Sequence, residues 1–197
     1  MSGQNEISAI ILAGGKSTRM KEEKGLVYFN RKMLVEHVID SAKKITNRII
    51  IISANPAYRQ FGLPCFEDKI KDKGALGGIY TGLVHSSTQK NLVIGCDMPF
   101  LSQRVFSGLI SNREGVDVLL SEHKGKPEPL CAIYDKSCIP HFRQRLEQNQ
   151  LKITDAFQGL KTRLLSFDAE DWFRGIEFAN FNSEEELKHF ENNIKNN

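Results

Sequence analysis

The sequence contains no apolar run long enough to cross a membrane, and its first residues lack the pattern of a secretory signal peptide. We therefore expect a cytoplasmic protein with no membrane partner. Dense runs of lysine and arginine are also absent, so the net charge of +3 does not predict binding to nucleic acid. The chain has 197 residues, 40% of them hydrophobic, which predicts one globular domain over residues 1–197.

Clusters of reactive or metal-binding side chains are missing as well. The four cysteines have no C-x-x-C spacing, and the five histidines complete no zinc pattern. We expect Cys65, Cys96 and Cys131, which lie in apolar, strand-like segments, to be buried thiols in a reducing compartment. No G-x-S-x-G motif surrounds a serine, which argues against a serine nucleophile.

Strand-like and helix-like segments alternate along the chain, which predicts an α/β fold with a mainly parallel sheet. Two apolar, β-branched runs at residues 7–12 and 49–53 are typical of buried strands. Apolar residues at helical spacing predict a helix over residues 34–45. We expect further strands at 63–66, 92–94, 116–120, 130–134 and 163–167, and further helices at 79–84, near 105–110, at 139–146, at 153–160 and at 183–192. The glycine-rich residues 74–78 should lead into the helix at 79–84.

A glycine-rich and cationic loop, LAGGKSTRM, follows the first strand at residues 12–20. Glycine lets a backbone approach a polyphosphate closely, and Lys16 and Arg19 add positive charge there. A P-loop would need glycine at position 10, which is Ile10, and the dinucleotide motif G-x-G-x-x-G is absent. The loop therefore predicts a nucleotide-phosphate site of another kind.

The loop, together with Lys24-Gly25-Leu26, resembles the nucleotidyltransferases that have a Rossmann-like domain. It is most similar to the MobA-like family of molybdenum cofactor guanylyltransferases. The resemblance implies a three-layer fold with a mainly parallel central sheet. It also implies Mg²⁺-dependent transfer of GMP from GTP to the terminal phosphate of molybdopterin, with release of pyrophosphate. GTP, molybdopterin and other proteins of cofactor biosynthesis are the partners that it leads us to expect.

Asp97 is the second strong feature, because it directly follows a buried strand. Ligands collect at the carboxyl ends of strands in open α/β sheets, and a carboxylate there suits Mg²⁺ when phosphates supply further oxygens. The alternative is a capping role for Asp97 in the segment after Pro99. The run CDMPF resembles the family's metal-binding segment, which implies that Asp97 is the metal ligand.

The resemblance carries the remaining site residues. It implies catalytic roles for Arg19, Lys24 and Asp97. It implies nucleotide binding by Leu12, Ala13, Gly14, Gly15, Lys16, Ser17, Lys24, Ser53, Asp68 and Asp97, with Gly78, Asn180 and Asn182 as possible additions. A carboxylate such as Asp68 can accept both donors on the Watson–Crick edge of guanine. The alternatives are an exposed acidic turn at Asp68 and a turn-forming role for the two asparagines.

Two positions depart from the family pattern. Ser53 stands where asparagine is typical, and Glu128 stands where histidine is common, in a region expected to face the second substrate. Three other functions therefore stay open. They are cytidylyl transfer to the same acceptor, nucleotidyl transfer to a sugar 1-phosphate, and binding of nucleotide or pterin without catalysis.

Overall fold

The computed structural model describes residues 7–14 and 23–181 of the chain. In these ranges the strands are β1 (Ile7–Leu12), β2 (Tyr28–Phe29), β3 (Lys32–Met33), β4 (Ile49–Ile52), β5 (Cys65–Phe66), β6 (Lys90–Gly95), β7 (Val118–His123), β8 (Lys126–Asp135) and β9 (Thr162–Ser166). The α-helices are α1 (Leu34–Lys43), α2 (Gly74–His85), α3 (Gln103–Ser111) and α4 (Cys138–Glu147). Short 3-10 helices span Lys24–Leu26, Pro56–Phe61, Asp155–Phe157 and Ile176–Phe178.

Seven strands form one sheet in the order β5-β4-β1-β6-β8-β7-β9, and β2 pairs with β3 in a separate hairpin. Neighbouring strands of the large sheet are parallel except for β8, which is antiparallel to both β6 and β7. The expected α/β fold with a mainly parallel sheet is thus confirmed. This topology brings the carboxyl ends of β1, β4 and β6 to one edge of the sheet.

Helices cover both faces of the sheet in three layers. Residues of α1 and α3 pack in one core cluster, and residues of α2 and α4 pack in the other. Strand β1 contributes to both, because Ala9 and Ile11 point to the first cluster while Ile10 and Leu12 point to the second. A strand that is buried on both faces requires the continuous apolar run seen in the sequence. None of the helices in the described ranges is both long and apolar enough to span a membrane.

Three expectations about local structure were wrong. Helix α2 already begins at Gly74, so the glycine-rich residues belong to the helix. Residues 153–160 contain only the 3-10 turn Asp155–Phe157, and the positive φ of Gly159 is incompatible with a continuing α-helix. The strands expected at 116–120 and 130–134 extend further toward each other, because β7 ends at His123 and β8 begins at Lys126, with a turn of Lys124 and Gly125 between them. The helix expected at 183–192 lies outside the described residues.

Glycine in α2 allows the helix to approach β1 closely. A Cβ atom at Gly82 would lie 2.4 Å from Cγ2 of Ile10, which is completely buried. The tight contact places the helix that carries Gly78 directly over the end of β1.

We predict that Gly82→Ala lowers the free energy of unfolding by about 1–2 kcal/mol. Overpacking costs about 1–3 kcal/mol, whereas alanine regains up to about 1 kcal/mol in helix propensity. Urea unfolding measures the change. The control is the same substitution in an Ile10→Ala background, where the methyl group has room and the loss should disappear. An equal loss in both backgrounds would contradict the packing argument.

Candidate active site

The parallel pairing of β1 with β6 forms the floor of the site. Leu12 is in register with Gly95, and the backbone N–H of Cys96 donates to the carbonyl of Leu12 at 3.1 Å. The N–H of Ala13 donates to Ile52 of β4 at 2.9 Å. The backbone that follows β1 therefore leaves the sheet beside the backbone that follows β6.

Gly14, the last described residue of the predicted phosphate loop before residue 23, is exposed and has free space around it among the described residues. A Cβ atom there would meet only the carbonyl oxygen of Ile52, at 3.9 Å. The buried residues Leu12 and Ala13 anchor it to the sheet. The other predicted loop residues, Gly15, Lys16, Ser17 and Arg19, lie outside the described residues, as does Asn182. Their roles stay predictions.

Asp97 and Lys24 are brought together at this edge. Lys24 Nζ lies 3.5 Å from Oδ2 of Asp97, and their side chains are 28% and 17% exposed. Gly95 leaves room for the carboxylate, since a Cβ atom there would lie 2.9 Å from Asp97 Oδ1. The capping alternative for Asp97 is wrong, because the N-cap of α3 is Ser102.

Lys24 and Asp97 can each exchange the other for a ligand of opposite charge. A partly exposed pair of this kind contributes about 1 kcal/mol or less to stability. A polyphosphate for Lys24 and a divalent cation for Asp97 are stronger partners, because more charge is neutralised at short range. The arrangement therefore keeps one cation and one anion ready at the end of the glycine loop.

Glu128 lies across from Asp97. The β6–β8 ladder pairs Ile94 with Cys131, and continuing that register beyond the last bonded pair carries the start of β8 toward Asp97. Burial raises the pKa of Glu128, and the negative charge of Asp97 raises it further. A bulge between β7 and β8 separates the Leu120 pair from the Ser121 pair and shapes this segment. The segment that departs from the family pattern thus borders the site.

The carboxyl group of Asp68, which follows β5, is a second polar group at this edge and lies close to Leu12 and Gly78. Its Oδ1 atom is buried and has no hydrogen-bond partner within the described residues. A Cβ atom at Gly78 would lie 3.3 Å from Cδ2 of Leu12 and 3.8 Å from this oxygen. Burial raises the pKa of Asp68, although the Thr81 hydroxyl partly offsets the effect. Asp68 is thus half-buried, whereas its neighbour Glu67 is exposed.

Ser53 and Asn55 are used within their own loop. Ser53 is 5% exposed, and its Oγ accepts a hydrogen bond from the backbone of Asn55 at 3.1 Å. Asn55 Oδ1 accepts from the backbone of Ala57 at 2.9 Å and caps the following 3-10 helix. The asparagine two residues later therefore does not replace the amide that is typical of the family.

The carboxyl-terminal segment returns to Asp97. The backbone N–H of Phe181 donates to the carbonyl of Asp97 at 3.3 Å. The Phe181 ring is buried with Val27, Phe29 and Leu34. The segment thus places the exposed Asn180 near the site edge, while the side-chain role of Asn180 stays a prediction.

Sequence reasoning missed the buried residues beneath Lys24, namely Tyr58 and Cys96. Tyr58 is 1% exposed, and its hydroxyl reaches the segment that carries Lys24. The one feature of the sequence that pointed to Tyr58 and Cys96 is Gly25, because a glycine indicates that another group packs closely against the backbone. It does not identify that group.

The oxygen atoms that the described residues offer suit a cation that binds oxygen and takes most of its ligands from a bound substrate. Within the described ranges, no group of three or more His, Cys, Asp or Glu side chains could enclose a metal ion. Asp97 offers one carboxylate, and Mg²⁺ is typically bound by one or two carboxylates together with phosphates and water. The residues present therefore fit Mg²⁺ better than a site that encloses zinc or calcium.

Comparisons with known proteins agree with this geometry. The MobA-like NTP transferase domain matches residues 9–162. This chain belongs to the MobA-like NTP transferase family. A probable molybdenum cofactor guanylyltransferase of Flavobacterium johnsoniae is 37% identical over 95% of this chain and 98% of its own length. Another protein of that name, from Carboxydothermus hydrogenoformans, is 32% identical over 82% of each chain.

Solved structures support the same family. Molybdopterin-guanine dinucleotide biosynthesis protein A from Archaeoglobus fulgidus superposes with a TM-score of 0.79 at 25% identity, covering 96% of this chain and 100% of that one. A 4-diphosphocytidyl-2C-methyl-D-erythritol synthase from Anaerococcus prevotii has a TM-score of 0.72 at 13% identity, over 98% and 97% of the two chains, and shares the fold. The MobA-like protein is therefore a nucleotidyltransferase, as the sequence predicted.

We predict that Asp68→Asn stabilises the nucleotide-free protein at neutral pH by about 1 kcal/mol, because a half-buried carboxylate with one oxygen unpartnered in the described ranges is costly. The folded-state pKa of Asp68 lies above its ordinary value of 3.8. The wild type therefore loses stability as pH rises through that raised pKa, and the advantage of the variant should grow over the same range and then level off. Urea unfolding from pH 4 to pH 8 measures the difference, and Glu67→Gln is the exposed control. A pH-independent difference would contradict the assignment.

Proposed function

We propose that this MobA-like protein transfers GMP from GTP to the terminal phosphate of molybdopterin, forming the guanine dinucleotide cofactor and pyrophosphate. The observation that carries the proposal is the Lys24–Asp97 pair, which stands beside Gly14 at the carboxyl ends of β1 and β6. The names of the similar proteins, molybdenum cofactor guanylyltransferase, favour this donor and acceptor.

Asp68 is the group that we propose for recognition of guanine. Its Oδ1 atom has no hydrogen-bond partner within the described residues and lies beside Leu12 and Gly78, at the end of β1. N1–H and the 2-amino group of guanine can donate to one carboxylate, whereas cytosine and adenine cannot offer that pair of donors. Binding of guanine would satisfy the oxygen that is costly in the free protein, which links base choice to affinity.

Mg²⁺ is the metal that we propose for this site, held by Asp97 and by the nucleotide phosphates. The charge of Asp97 raises the pKa of Glu128 because the two carboxyl groups are close, and the Lys24 ammonium lies beside Asp97. A triphosphate and an acceptor phosphate would add several negative charges there. When bound, Mg²⁺ would supply the charge neutralisation that allows these anions to approach each other.

Positioning and charge would account for most of the chemistry. A terminal phosphate oxygen of the acceptor attacks the α-phosphorus of GTP and forms the new P–O bond as the bond to pyrophosphate breaks. Lys24 turns from Asp97 to the triphosphate and stabilises the charge that develops on the leaving group. An ionised phosphate already carries a nucleophilic oxygen, so no side chain needs to remove a proton. The glycine-rich loop that follows Ala13 in the sequence is the segment from which we expect backbone N–H groups to bind the phosphates.

The acceptor would enter on the β8 side of Asp97. The β7–β8 hairpin, with its bulge and Glu128, borders that side, whereas Asp68 lies on the opposite side beyond β1 and β4. The two substrates then meet above Asp97. Glu128 carries a carboxyl group where histidine is common in the family, so we expect it to tune the choice of acceptor.

We predict that pyrophosphate is released when the protein is incubated with Mg²⁺, molybdopterin and GTP, and that CTP and ATP are at least tenfold less effective. The reason is the two-donor contact of guanine with Asp68. A panel of the four nucleoside triphosphates measures the preference. Turnover with CTP alone would indicate a cytidylyltransferase. Turnover only with a sugar 1-phosphate as acceptor would assign the protein to the other class of nucleotidyltransferase.

We predict that Asp97→Asn lowers kcat by about 100-fold or more at saturating GTP, since loss of one electrostatic contact to the transition state typically costs 10²- to 10³-fold. Its melting temperature should change little, because the ion pair that the carboxylate makes with Lys24 is partly exposed. Asp40→Asn, on the exposed face of α1, is the matched control and should retain full activity. Turnover of Asp97→Asn near the wild-type rate would refute the metal role.

A further inference from the structure

The backbone that carries Lys24 rests on two buried side chains. Gly25 is the middle residue of the 3-10 turn Lys24–Leu26 and is buried. A Cβ atom at Gly25 would lie 2.5 Å from the Tyr58 hydroxyl oxygen, and 3.0 Å from Cys96 Sγ. The turn therefore contacts these two groups through its bare backbone. We call Tyr58 and Cys96 the lysine seat.

Tyr58 is fixed independently of Lys24. It lies in the 3-10 helix Pro56–Phe61, which Asn55 caps, and its side chain is 1% exposed. Burial raises the pKa of Tyr58 far above its ordinary value, and the neighbouring Cys96 and Glu23 raise it further. The hydroxyl thus stays neutral at any working pH and acts as a rigid contact.

Cys96 joins the seat to Asp97. It directly precedes Asp97, is 8% exposed, and is tied to β1 by its backbone hydrogen bond to Leu12. Gly25 packs against Cys96. Lys24 directly precedes Gly25 in the chain, and Asp97 directly follows Cys96. This packing contact brings the backbones of Lys24 and Asp97 together, and the ammonium lies 3.5 Å from the carboxylate.

We propose that Tyr58 is a positioning residue for the reaction: its hydroxyl, packed against Gly25, holds the Lys24 ammonium beside Asp97. The inference rests on the proposed function only insofar as Lys24 and Asp97 act on the triphosphate. The positioning itself exists in the protein without nucleotide, so it can be measured there.

The first experiment follows Lys24 in the nucleotide-free protein by amine acetylation and mass spectrometry. The contact with Asp97 should slow labelling of Lys24, and Asp97→Asn gives the reference rate for the amine without that contact. Gly25→Ala and Tyr58→Phe should each raise the labelling rate of Lys24 severalfold toward that reference. Gly108→Ala is the control, because its Cβ would crowd Phe167 at 2.6 Å in the core, away from the site, and it should leave the rate unchanged. If Gly25→Ala and Tyr58→Phe both left the labelling rate of Lys24 at its wild-type value, the proposal would be overturned.

The second experiment is kinetic, with the nucleotide that the wild type turns over fastest. Gly25→Ala should lower kcat between about 10-fold and 100-fold, because a displacement near 1 Å at a reacting group costs that much. Tyr58→Phe should lower kcat in the same direction, because it removes the hydroxyl that supports the turn of Lys24. Gly108→Ala should lower the melting temperature without changing kcat.

A third comparison separates positioning from a general structural role. In a Lys24→Ala background, Gly25→Ala and Tyr58→Phe should have no further effect on kcat, because the group that they position is gone. Multiplicative losses in that background would overturn the proposal. If Gly25→Ala fails to fold, the pair of Tyr58→Phe and Lys24→Ala carries the same comparison. Failure of the proposed function would appear as a wild type without pyrophosphate release, whereas the labelling result would still decide the role of the seat.

Discussion

The parallel pairing of β1 with β6 is the constraint on which the site depends. It sets Leu12 opposite Gly95 and fixes the next residue, Cys96, to β1 through a backbone hydrogen bond. The chain must then leave both strands at the same edge, with a glycine backbone on one side and Asp97 on the other. Because β1 is buried on both faces, a shift in its register would disturb the packing of both core clusters. The core therefore fixes where the chain leaves β1 and β6.

The polar groups at this edge are arranged for ligands more than for stability. Asp68 has a buried oxygen without a partner in the described residues, and burial next to Asp97 raises the pKa of Glu128. Each is a cost in the free protein that a nucleotide or a cation can relieve. Lys24 and Asp97 compensate each other only weakly, at partial exposure. The free enzyme thus stays ready to bind, and the substrates complete its electrostatics.

Sequence reasoning could predict what is encoded locally. The bounds of β1, the parallel sheet and the position of Asp97 at a strand end followed from apolar runs and their order. Contacts between distant segments left almost no local trace. The register that carries Glu128 toward Asp97 depends on the pairing of β8 with β6. The packing of Gly25 on the lysine seat joins three segments that are far apart in the sequence. The extent of α2 was also hidden, because its glycines serve packing against Ile10 and contradict helix propensity.

The central claim is that one nucleotide spans this edge, with its base at Asp68 and its phosphates between Gly14 and Asp97. A crystal structure of the protein with Mg²⁺ and a non-hydrolysable GTP analogue tests it most directly. The account predicts that the Watson–Crick edge of guanine donates to the Asp68 carboxylate, and that Lys24 leaves Asp97 for the triphosphate. A base placed on the β8 side, or a triphosphate bound with the Lys24–Asp97 pair intact, would contradict it.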